Sequence, residues 1–264
     1  MKLVFVIAIV AIIIYTFRDS AGPILKELST TAPWVVITIC GAGVMYNVVE
    51  GWINYSFAKQ YNPQFTYRMG VESAFYCSFY RVATLGSGAG VAAVYYFNEK
   101  GIPVFQGTGM YMVEYAIHKV TIAIFSIIFF LLNFGFMKEH YSEYFNLLIA
   151  GYVLTAVIAT ALLLFCCSKK FHGILLFLVD KLNRKGKFDA QAAMLREQCG
   201  ILEDAAGMLL TKGKLIASIV AKNLLKFAFC YGIPFVILYR EYGLTLLQSW
   251  AVTSLAFMLA AVIP

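Results

Sequence analysis

Charge is what this sequence has little of. Asp, Glu, Lys and Arg make up 13% of its 264 residues, while 61% are hydrophobic. A water-soluble domain has about a quarter of its residues charged, so this chain lacks the polar skin that keeps a core in water. Histidine is scarce as well: His118, His140 and His172 fall in three separate segments. No Gly-x-Ser-x-Gly, His-Glu-x-x-His or paired-carboxylate spacing occurs, so no catalytic set is expected. The six cysteines form no Cys-x-x-Cys and no Cys/His spacing. They read as small buried hydrophobes, and neither a metal nor a cofactor is expected.

What is present is a series of long apolar stretches. Mean hydropathy is +0.77, and the net charge of +7 sits in the connections between apolar runs. That is the positive-inside pattern of a multi-pass membrane protein rather than the readout element of a nucleic-acid binder. Crossing the hydrocarbon takes about 20 apolar residues in a helix. Six segments are read as spans: 3–17, 34–57, 107–136, 147–167, 215–239 and 244–263. The first has the look of a signal-peptide core behind Lys2. The charged pair Arg18-Asp19 stands where a cleavage site wants small residues, which favours a retained helix. Residues 168–214 read as a cytoplasmic loop with an amphipathic helix at 189–210, and Pro234 as a kink in the fifth span.

The stretch 70–99 differs from the rest. Two short helical halves flank the run Gly86-Ser87-Gly88-Ala89-Gly90, and neither half is long enough to cross alone. A re-entrant hairpin is expected, entering and leaving on one side. The fold class is therefore all-α: one integral membrane domain over 1–264, a polytopic transmembrane helix bundle with a re-entrant helical hairpin. With the N-terminus cytoplasmic, 13 of the 21 Lys and Arg fall inside and four outside (Arg18, Lys26, Lys138 and Arg240). A fully crossing hairpin would move Lys2, Lys59 and Arg68 to the outside and erode that asymmetry. The expected location is the cell membrane.

The remaining four cations, Arg81, Lys119, Lys222 and Lys226, lie inside apolar segments, together with Glu50, Glu72, Glu114 and His118. A charge at that depth costs about 2.5–3.5 kcal/mol on insertion scales, so it faces the bundle interior and has a partner or a task. Lys222 and Lys226 are four apart and share a helix face, as do Glu114 and His118. Two readings stand. In one, these groups snorkel to headgroups or pair structurally, Arg81 with Glu114 for example. In the other, Arg81, Glu114, Lys119, Lys222 and Lys226 line a polar cavity for an anionic lipid headgroup. Gly86, Gly88 and Gly90 mark either close helix packing or a break with exposed N–H groups for an anion. They are no nucleotide fingerprint, because the preceding strand and the Lys-Ser/Thr end are missing.

Residues 86–119 carry a resemblance. The run Gly86-Ser-Gly-Ala-Gly-Val-Ala-Ala-Val-Tyr-Tyr-Phe-Asn-Glu-Lys-Gly-Ile-Pro103, followed by Tyr111-Met-Val-Glu-Tyr-Ala-Ile-His-Lys119, resembles the lysylphosphatidylglycerol synthase transmembrane-domain family. The Gly-Gly-Gln-Pro form of the break common in that family reads Gly88-Ala89-Gly90-Val91 here. The chain also stops at Pro264, before the further helices of the family, so it is expected to be truncated. The resemblance implies a flippase-type domain that binds and translocates anionic or aminoacylated phospholipid. The alternative it implies is a phosphatidylglycerol lysyltransferase or its membrane half, acting in lipid modification and cationic-peptide resistance. Expected partners are membrane phospholipid and, beyond it, a second copy of the chain or a separate soluble transferase domain. Nucleic acid is not expected.

Overall fold

The computed structural model describes residues 18, 22–26, 29–84, 88–182 and 189–259. The span expected at 3–17, the last residues of 244–263 and Gly86 lie outside them. Among the described residues the fold is all-α, with no strand. Helix α1 (Pro33–Ala58) starts on a proline, whose missing N–H costs nothing at a first turn. Helix α2 (Tyr67–Ala83) is capped by the Thr66 hydroxyl, which accepts from Met69 N–H at 3.3 Å. It lies along α1 because glycines face each other there: a Cβ on Gly51 would fall 2.5 Å from Val71 Cα, and one on Gly70 would strike the Gly51 carbonyl.

Helix α3 (Ala89–Glu99) returns beside α2, and α4 (Val104–Leu132) follows. Both feet of the α2–α3 hairpin are tied together at one end. Asn62 donates to the Lys100 carbonyl at 2.8 Å and accepts from Gln64 N–H at 2.9 Å. Gly101, at φ +83°, makes the left-handed turn out of α3.

The long helix expected over 107–136 stops earlier, at Leu132. The Asn133 amide bonds back to the Phe129 carbonyl at 2.9 Å and across to Leu247 at 3.2 Å, giving the chain an alternative to helix continuation. Beyond it come α5 (Phe134–Tyr141), a 3₁₀ turn (Ser142–Tyr144), α6 (Phe145–Cys167), α7 (Lys169–Leu182) and α8 (Asp189–Leu210). Next are α9 (Gly213–Tyr231), α10 (Ile233–Tyr242) and α11 (Leu246–Leu259). The expected kink near Pro234 is a break at Gly232, with the proline in the first turn of α10. Four helical runs are long and apolar enough to cross a membrane: Pro33–Ala58, Val104–Leu132, Phe134–Cys166 and Gly213–Tyr239.

Helix α8 is more embedded than a loop helix. Leu202, Ala205, Ala206 and Leu209, spaced for one helix face, are all buried. The Ala205 carbonyl accepts from the Tyr61 hydroxyl at 2.7 Å, and Gly109 of α4 leaves room for Leu202. Two apolar clusters result. One gathers Ile53, Phe57, Phe97, Met110, Val113, Leu209 and Ile219; the other gathers Ile122, Phe125, Met137, Leu148, Phe227 and Leu255.

Candidate functional site

Helix α9 passes from the first cluster, at Ile219, to the second, at Phe227. Between them it presents Lys222, Asn223 and Lys226, and these meet polar groups of α1 and α4. Lys226 is fully buried. Its ammonium donates to Glu50 Oε2 at 2.5 Å and to His118 Nδ1 at 3.1 Å, and lies 5.2 Å from the Tyr46 ring centre. An ammonium only donates, so Nδ1 is the acceptor and the neutral ring carries its proton on Nε2.

Glu114, 7% exposed, faces the Glu50 carboxylate, with Lys226 and Arg81 in electrostatic reach. Arg81, in the last turn of α2, meets the Tyr46 phenol and lies near Glu50 and Tyr111. Asn223 is 1% exposed beside His118, and neither amide atom makes a hydrogen bond of good geometry.

Lys222 is set apart from this centre. Its ammonium lies 2.6 Å from Ser56 Oγ and 4.5 Å above the Trp52 ring. Among the described residues, no carboxylate lies within ion-pair distance of it.

Of the five headgroup residues expected from the sequence, Arg81, Glu114 and Lys226 are brought together and Lys222 lies nearby. Lys119 is not brought in; its ammonium lies 5.3 Å over the ring of Tyr115, one step round α4. Among the described residues, the closest contact between opposite charges is Glu50–Lys226 rather than an Arg81–Glu114 pair. Of the glycines at the break, Gly90 serves packing: a Cβ there would fall 2.9 Å from the Tyr111 ring. The Gly88 N–H is taken by the Thr84 hydroxyl at 2.6 Å, so it does not face an anion.

Sequence reasoning left Glu50 and His118 out of the site, although both stood among the charges at depth. It gave no signal for Tyr46, Asn223, Ser56 or Trp52. Among the described residues no three His, Cys, Asp or Glu side chains gather as a metal site requires. A groove of about 610 Å³ runs beside the layer between α3, α4 and α6, lined by Val94, Tyr95, Thr108, Tyr111, Tyr115 and Leu162. No protein-family model, curated protein or solved structure matches this chain.

Proposed function

We propose that this is a multi-pass membrane protein that binds anionic phospholipid and moves it across the bilayer. The observation that carries the reading is a charge imbalance at depth. Among the described residues, Arg81, Lys222 and Lys226 stand against at most two negative charges, on Glu50 and Glu114, with His118 accepting and therefore neutral. At least one uncompensated positive charge in an apolar bundle calls for an anion, and a phosphodiester headgroup carries a single negative charge. The apolar groove beside Tyr111 has the lining of an acyl-chain path. The likeness of residues 86–119 to the lysylphosphatidylglycerol synthase membrane domain points to the same substrate class.

In this reading the α2–α3 hairpin is re-entrant. Helix α3 is 11 residues long, about 16 Å, and cannot cross some 30 Å of hydrocarbon. The Asn62–Lys100 hydrogen bond brings the two feet of the hairpin together, and the positive-inside count supports the cytoplasmic side for them, with the N-terminus. Reconstitution tests the proposal. In vesicles, the protein is expected to accelerate transbilayer movement of labelled phosphatidylglycerol. The double variant Arg81→Gln/Lys222→Gln, which leaves the Glu50–Lys226 pair intact, is expected to lose that acceleration. No acceleration by the unaltered protein, or an equal rate in the double variant, refutes it.

A further inference from the structure

We infer that Lys222 is a docking seat for a phosphate-bearing anion, reached along the α1–α9 seam from its Lys212 end and distinct from the Glu50–Lys226 centre. The identification of that anion as a lipid headgroup rests on the lipid-handling reading above; the seat itself does not. Three lysines descend this seam, each matched by one side chain in or just beyond α1. Lys212 donates to Gln60 Oε1 at 2.7 Å, Lys222 to Ser56 Oγ at 2.6 Å and Lys226 to Glu50 Oε2 at 2.5 Å. Only the deepest of these partners is an anion.

The middle rung is the one left charged. Ser56 has its own proton committed to the Trp52 carbonyl at 2.8 Å, so its oxygen can only accept from Lys222. That leaves the ammonium with two N–H donors and its whole charge uncompensated. Lys222 is 9% exposed, while the Trp52 ring above it is 45% exposed. The indole therefore lies between the ammonium and the bundle surface, as an aromatic lid over a cation. Along α9, Lys222 lies about 14 Å beyond Gly213. A phosphate there is one step short of the Lys226 layer. Lys212 is exposed at the mouth and supplies the attraction that fills the seam.

A lipid phosphodiester and free inorganic phosphate present the same chemistry to Lys222, and Trp52 is a built-in reporter. With Trp34 and Trp250 changed to Phe, Trp52 fluorescence is followed in phosphatidylcholine nanodiscs. Acyl-brominated phosphatidylglycerol is raised in steps, in parallel with acyl-brominated phosphatidylcholine. Half-quenching is expected at about a tenfold lower mole fraction of the glycerol lipid, the ratio one charge-assisted hydrogen bond supplies. Lys222→Gln is expected to erase the difference and Lys222→Arg to keep it.

A second arm titrates inorganic phosphate into nanodiscs free of anionic lipid. A Lys222-dependent change in Trp52 emission with no lipid preference keeps the seat and assigns it to free phosphate. Equal quenching by both lipids together with no response to phosphate overturns the seat. So does a preference that survives Lys222→Gln. Transbilayer movement in the vesicle assay alongside either of these results leaves lipid handling standing without this seat.

Discussion

Breaking the Glu50–Lys226 pair from each side, and then from both, measures what the buried layer does for the fold. Lys226 is fully buried and the Glu50 side chain keeps 15% of its exposure. Removing one partner strands the other charge in apolar surroundings, at a cost of about 3–5 kcal/mol, whereas replacing both with neutral groups of similar volume is often close to neutral. Independent singles would sum to about 6–10 kcal/mol. The expected double variant Glu50→Gln/Lys226→Met costs no more than the worse single, which gives a coupling energy of about 3 kcal/mol or more.

The other charges break the symmetry between the singles. Lys226→Met leaves Arg81 and Lys222 against Glu50 and Glu114, the more nearly balanced set. Glu50→Gln leaves three cations against Glu114 alone and is expected to be the worse change by on the order of 1 kcal/mol. The assay is unfolding in mixed micelles at rising SDS fraction, followed by tryptophan fluorescence. Additive singles, or a worse effect from Lys226→Met, would refute the charge count.

The remaining predictions concern topology and packing. Cysteines placed at Gln64 and Asn98, both exposed at the hairpin feet, are expected to react with a membrane-impermeant maleimide from the same side of sealed vesicles; labelling from opposite sides would sink the re-entrant reading. Gly70→Leu is expected to destabilise the chain by about 1–3 kcal/mol or more, since even its Cβ meets the Gly51 backbone and a backbone cannot step aside as a side-chain tip can. Gly135→Leu, with open space around its Cβ, is the control that separates this clash from a general effect of losing a glycine.

The helices were legible because they follow from composition and period, and so were the charges that do not belong in them. The four-residue spacing of Lys222 and Lys226 does place both on the inner side of α9, and Glu114 does turn inward. What the sequence did not carry is pairing across the bundle. Glu50 and Lys226 lie 176 positions apart, and no local spacing links them. Lys119 illustrates the opposite error: one residue beyond His118 is about 100° round an α-helix, enough to take its ammonium from the layer to the ring of Tyr115. The burial of α8 was written in the spacing of Leu202, Ala205, Ala206 and Leu209. Its charged residues outweighed that stripe, which docks where the small Gly109 on α4 leaves room and the Tyr61 hydroxyl meets the Ala205 carbonyl.

The position of the layer separates two tasks that its charges share. Ile219 and Phe227 belong to different apolar clusters, so a slip of α9 by one turn would either carry Lys226 in among apolar side chains or draw it back toward Ser56 and leave Glu50 without an ammonium. The Glu50–Lys226 contact thereby penalises the wrong register, a use for which buried pairs are suited even when they add little net stability. Lys222 takes no part in that contact. Its hydroxyl partner costs it no charge, and Trp52 rather than a carboxylate covers it. Holding the helices in register thus falls to Lys226, while the free charge falls to Lys222 one turn away. An anion arriving at Lys222 has no ion pair to break, so its binding does not have to be purchased with the stability of the bundle.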